Sequence, residues 1–258
     1  MNLSERTKLN VLRATIIVTL IGTILVPPVP QDLAYHQFAD QREIWGVPNF
    51  WNVVTNVPFL IIGLTGIGIV MLDGYLDEYP KLKSAYLTFF GGMGLVALGS
   101  GYYHLNPSNE TLVWDRLPMT VAFMGFCSII AGERLSEQLG ARALWPLVFL
   151  GVLSVVYWDY TESLGKGDLR PYAVVQFLPG ILIPMILLMF ESRFSDNRYY
   201  WTMLGCYALA KVAEALDQPI FELLGQFSGH SIKHLIAALG GAVFCAALVK
   251  RVKNDQHG

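Results

Sequence analysis

Eight apolar stretches, each bounded by charged or Gly/Pro-rich breaks, divide the chain at 11–27, 50–72, 85–103, 112–131, 144–158, 172–190, 200–216 and 231–249. A bilayer core about 30 Å thick takes roughly 20 apolar residues as a helix, and lipid offers no partner to an unpaired backbone group. The stretches therefore predict an all-α fold, a polytopic bundle of transmembrane helices. Composition agrees: 53% of the 258 residues are hydrophobic and 15% charged, which does not make a water-exposed surface. The fifth stretch is the shortest. The first follows Arg6, Lys8 and Arg13, the flank of a signal peptide, but no small-x-small cleavage site comes after it, so it is read as a retained helix.

Orientation follows from Lys and Arg, which accumulate in cytoplasmic loops. With the N-terminus inside, the inner side collects Arg6, Lys8, Arg13, Lys81, Lys83, Arg134, Arg142, Arg193, Arg198, Lys250, Arg251 and Lys253. The outer side keeps Arg42, Lys166 and Arg170 in loops, with Arg116 and Lys233 at helix ends. Eight spans with both termini cytoplasmic fit this alternation better than seven. A net charge of -2 without long runs of one sign excludes a nucleic-acid footprint. Cys127, Cys206 and Cys245 stand singly in apolar runs and read as packing residues, not as a disulfide framework or thiolate site.

Ionisable groups in a hydrophobic span are costly and should face the bundle. Ser100 and His104 close the third span, Asp115 opens the fourth, and His230 and His234 open the eighth. By the topology above, all of these helix ends lie on the outer face. Ser100 and His104 are four apart, as are His230 and His234, so each pair shares a helix face. A lone interfacial histidine more often hydrogen-bonds a carbonyl or a headgroup. Three histidines that agree in depth, spacing and number are better read as ligands of one catalytic Zn2+, with a fourth tetrahedral position open to water. His36 and His257, the remaining two of five histidines, fall in an outer loop and the cytoplasmic tail.

Other polar positions read mainly as structure. Lys211, Glu214 and Asp217 follow at i, i+3 and i+6 in the seventh span; Lys211 and Glu214 suit an intrabundle pair, and Asp217 can accept the second N–H of a ligand histidine. Asn52 and Asn56 share one face and suit interhelical hydrogen bonds, with Asn56 close to the site. Tyr157, Trp158, Tyr160 and Tyr172 read as an interfacial aromatic belt.

The segments GSGYYH (99–104), WDRLPM (114–119) and GHSIKH (229–234), with FWNVVTN (50–56), resemble the alkaline ceramidase family and its wider superfamily of membrane hydrolases and progestin/adipoQ-type receptors. The resemblance runs from about 49 to 249. It implies a seven-helix catalytic core at 48–250, an additional N-terminal helix and outer loop at 1–47, and a cytoplasmic tail at 251–258. It also implies that His104, His230 and His234 bind zinc, with Ser100 and Asp115 around the activated water. The substrate implied is the N-acyl bond of ceramide-like membrane lipids. The eukaryotic members bind Ca2+ through an acidic stretch ahead of the second-span motif. Here Asp40, Glu43 and Asn49 are spaced differently, Asn49 standing where those enzymes have a glutamate, so Ca2+ is not carried over. Tyr172 is the candidate for the tyrosine that steadies the oxyanion in that family.

In this reading Asp115 is the general base and later acid, and Ser100 hydrogen-bonds the water or the tetrahedral oxyanion. Ser100 as nucleophile is disfavoured, because no free imidazole remains to activate it. A receptor of the same superfamily is the first rival. A transporter is the second, but the midplane lacks the ionisable residues and broken repeated helices that transport predicts. The outer-face site would be periplasmic or lumenal.

Overall fold

The computed structural model describes residues 3–72, 74–191 and 197–255, with side chains described to residue 250. Arg193 and His257 lie outside the described residues, and the side chains of Arg251 and Lys253 are not described. The described residues are helical with no named strand: α1 (Glu5–Leu25), α2 (Phe50–Val54), α3 (Val57–Met71), α4 (Lys83–Leu105), α5 (Asn109–Arg134), α6 (Glu137–Ser163), α7 (Arg170–Met189), α8 (Arg198–Ala215), α9 (Asp217–Leu224) and α10 (Gly229–Asp255). The all-α reading holds.

Local chemistry accounts for the boundaries. Ser4 caps α1 through Thr7 N–H, and Ser108 and Thr111 form a reciprocal capping box that starts α5. The second stretch is two helices, because Pro58, at the start of α3, has no N–H to carry the ladder of α2 onward. The fifth, short when counted by apolar residues alone, is a 27-residue helix; helix-forming Glu137, Arg142 and Glu162 carry it past both apolar boundaries.

Seven helices among the described residues are long and apolar enough to cross a membrane: α1, α2 with α3, α4, α5, α6, α7 and α10. The remaining stretch, expected at 200–216, is the helix α8. It has 18 residues, and Arg198, Lys211 and Glu214 keep it outside that count by composition. Lys211 Nζ lies 2.7 Å from Glu214, as its spacing foretold, and Lys233 of α10 lies 2.9 Å from the same carboxylate. Asp217 begins α9 instead of closing the seventh span.

Sequential neighbours α3, α4, α5 and α6 pack side by side; α10 packs on α8 and α3, and α7 on α5, α6 and α1. Phe89, Phe90, Phe126 and Phe244 fill the middle with ring centroids 5.0–5.9 Å apart. In lipid such packing, with interhelical hydrogen bonds, replaces water exclusion as the force between helices. At the end of the bundle remote from the histidines, Tyr86 of α4 and Tyr200 of α8 both donate to Glu133 of α5.

Helix α1 touches the bundle through α7, and only 6% of its apolar window is buried. The segment after it is more firmly held. Arg170 donates to Val26 O at 2.5 Å and Leu169 N to Val29 O at 2.8 Å. Further along, Gln31 N meets Glu162 at 2.5 Å, Ala39 N meets Asp217 at 2.9 Å, and Arg42 meets Gln226 O at 2.8 Å. Residues 26–42 thus form a strap across the end of the bundle that carries the histidines.

Candidate active site

Two glycines permit the close helix approaches that build the site. A Cβ on Gly99 would collide with the Trp114 carbonyl, and one on Gly229 with the Ala213 carbonyl. Their absence lets α4 lie against α5 at Ser100 and Asp115, and lets α10 start against the end of α8. Ser228 and Asp217 then supply the first N–H groups of α10 with acceptors: Ser231 N to Ser228 Oγ at 3.2 Å and His230 N to Asp217 Oδ1 at 2.6 Å.

His104, His230 and His234 meet at this end. Their ring centroids form a nearly equilateral triangle of 4.9, 5.0 and 5.0 Å, and one ring nitrogen from each lies within 4.8 Å of the others. All three are buried. Neutral imidazoles packed this closely without a carboxylate between them suit a cation. His104 Nδ1 is buried with no hydrogen-bond partner, a cost that a metal ligand would not carry. The residues present therefore fit a bound metal ion.

Four further contacts surround the ligand histidines. Thr55 Oγ1 donates to Trp51 O at 2.6 Å and sits 3.0 Å from His234 Nδ1. Asn49, in the left-handed region at φ 48, donates to His104 O at 2.9 Å. Phe38 of the strap lays its ring 4.7 Å from His104 and 4.6 Å from His230. Lys233 Nζ stands 2.9 Å from His230 Nε2 as well as 2.9 Å from Glu214. Thr55 and Asn49 belong to or adjoin FWNVVTN, so that motif held the signal. Phe38 lies in a loop that carries none.

The structure sorts the other expected residues. Ser100 and Asp115 are buried, close enough to interact, and line one cavity with His234. Asp217 reaches His230 through the backbone N–H, not the imidazole, so the orienting contact expected of it is corrected: it caps α10. Asn56 donates to Asn52 O at 2.7 Å across the junction of α2 and α3, while Asn52 accepts from Ser231 Oγ at 2.8 Å and so makes the bond to α10. Trp158 and Tyr172 leave the aromatic belt: both are buried, with the Arg116 guanidinium 4.2 and 4.6 Å from their rings. Tyr157 and Tyr160 stay exposed. Asp40 is buried in a two-toothed pair with Arg42 at 2.8 Å. Cys127, Cys206 and Cys245 are free thiols in the packing.

The cavity, about 410 Å³, begins at Ser100, Asp115, Arg116 and Lys233 and continues between α4, α5, α7, α8 and α10 into a wall of Phe89, Met93, Phe126 and Ile183. One end is polar and reaches the histidine triangle at His234; the rest is apolar and of lipid-chain character.

A family model described as Ceramidase matches residues 45–212. The chain belongs to the ceramidase family. The match includes FWNVVTN, GSGYYH and WDRLPM and stops ahead of GHSIKH, so in this ceramidase-family chain geometry, beyond the matched segment, brings His230 and His234 to His104. No curated protein matches the chain. Membership makes it a membrane hydrolase by family, and its seven apolar helices fit a multi-pass membrane protein.

Proposed function

We propose that the chain is a zinc-dependent integral membrane amidase that hydrolyses the N-acyl bond of ceramide-like lipids. The observation that carries this reading is the buried histidine triangle at the polar head of an apolar cavity, with Ser100 and Asp115 on the same wall. His104, His230 and His234 hold the ion. Bound zinc supplies Lewis acidity that brings the pKa of water towards neutrality and polarises an amide carbonyl.

The chain's own groups do the rest. A carboxylate oxygen of Asp115 takes the proton of the attacking water and returns it to the leaving amine nitrogen. Ser100 Oγ, one turn from His104, orients that water and donates to the developing oxyanion. Thr55 keeps His234 in one tautomer. The apolar wall takes the acyl chain and excludes bulk water from the reacting bond. Lys233 and a metal are rival cations for the His230 Nε2 lone pair, and Glu214 is the acceptor that keeps the ammonium when it gives that nitrogen up.

We place both termini in the cytoplasm, with α8 bringing the crossings to eight, and the site on the periplasmic or lumenal side, on the strength of the Lys/Arg count. The division into an N-terminal helix and loop at 1–47, a core at 48–250 and a tail at 251–258 goes with this topology, although the strap brings Gln31, Tyr35 and Phe38 to the site.

The test is purification in detergent, measurement of bound metal, and assay of fatty-acid release from a panel of lipid amides for the unaltered chain and His104→Ala. Stoichiometric zinc and release, both lost in the variant, are expected. Absence of bound metal would sink the reading, and metal without release from any lipid would favour the receptor.

A further inference from the structure

Arg116, beside Asp115, is 6% exposed and lines the polar head of the cavity. Its guanidinium lies 4.2 Å from the Trp158 ring, 4.6 Å from Tyr172 and 5.9 Å from Tyr35. Nη2 donates to Gln31 Oε1 at 2.6 Å, whereas Nη1 is buried with no partner. Among the described residues it forms no ion pair: Glu214 is taken by Lys211 and Lys233, and Asp115, its chain neighbour on the same cavity, acts on it through space without a salt bridge. A buried guanidinium without a directly paired carboxylate is costly, and aromatic faces, one amide and the through-space field of Asp115 answer that cost only in part. An oxyanion arriving with a ligand would take the free N–H in a charge-assisted bond.

We propose that Arg116 is a specificity residue that binds an oxyanion on the headgroup of the lipid amide, so that acidic N-acyl lipids are preferred to neutral ones. The pose rests on the amidase reading above. An acyl chain in the apolar wall and an amide at Ser100 and Asp115 leave the headgroup at the end where Arg116, Gln31 and Tyr35 stand. Gln31 holds the fork from the strap, and Trp158 and Tyr172 clamp its plane, so the free N–H is presented in one direction.

Binding to the purified full chain, metal-loaded, tests this through displacement of a fluorescent lipid. The probes are the ketomethylene isosteres of N-palmitoylglycine and N-palmitoylethanolamine, which differ in carboxylate against hydroxyl and contain no cleavable amide. The carboxylate probe should bind about tenfold more tightly. Arg116→Met should abolish that preference. Gln31→Glu, which places an internal carboxylate against the guanidinium, should abolish it with Arg116 still present, and it carries the test if the methionine variant does not fold. Equal affinities in the unaltered chain, or a preference that survives either folded variant, would overturn the proposal. Palmitate forms a third arm. An Arg116-dependent gain for palmitate without one for the glycine isostere would assign the guanidinium to the product carboxylate and overturn the headgroup role. Failure of the amidase reading registers separately, as no fatty-acid release from cleavable N-palmitoylglycine or ceramide while the probe preference persists.

Discussion

Thr55 and His234 fix a tautomer between them. The Thr55 hydroxyl gives its proton to Trp51 O at 2.6 Å, so towards His234 Nδ1, 3.0 Å away, its oxygen acts as acceptor. Nδ1 therefore carries the hydrogen, and the lone pair of Nε2 is left for the centre of the histidine triangle.

Thr55→Val keeps the shape and removes the acceptor. Metal affinity should fall by about 10- to 100-fold, read by competition with a chromophoric chelator, and Thr55→Ser should restore most of it. Unchanged affinity in the valine variant would remove Thr55 from the support of the site.

Asp115→Asn keeps the size of a buried side chain and removes its basicity. Bound zinc should stay stoichiometric while the rate of lipid-amide hydrolysis falls by about 10²- to 10⁴-fold. A variant with full zinc and the normal rate would end the general-base assignment.

Lys233 Nζ stands 2.9 Å from His230 Nε2, so a metal taking that nitrogen, as proposed above, would have to displace the ammonium. Lys233→Met should tighten zinc binding by about tenfold, equivalent to roughly 1.4 kcal/mol. Looser binding in that variant would show instead that the lysine helps to hold the ring in place.

Gly99→Ala puts a methyl group against the Trp114 carbonyl. The two helices must part, at a cost of about 1–3 kcal/mol, and Ser100 and His104 move with α4. Thermal unfolding in detergent should occur at a lower temperature, and zinc occupancy should fall in the folded fraction. Gly101, where a Cβ meets nothing, is the control: Gly101→Ala should change neither.

The bundle was legible because lipid forces long apolar stretches to be helical, and the histidines were legible because four-residue spacing on helix ends is a strong local pattern. Thr55 was less so. Its partner is remote in sequence, and a threonine after two valines reads as ordinary helix packing. Trp158 was misread for a related reason: aromatic residues near a helix end suit a headgroup belt, and only the fold shows Arg116 turned beneath its ring. At α8 the sequence placed the helix and the Lys211–Glu214 pair, but Lys233, the second partner of Glu214, comes from a remote helix that no local spacing announces. Phe38, on an irregular strap, has no periodicity that could have announced it.

Two of the three histidines ride on α10, whereas the strap that roofs them follows α1. During synthesis the roof leaves the ribosome early and can dock on Glu162, Leu169 and Arg170, but its contacts with Asp217 and Gln226 must wait for the end of the chain. A nascent chain halted before α10 can hold His104 but no triangle. A metal held by the triangle would therefore be acquired late in biogenesis, and an arrested or truncated intermediate lacks the assembled site.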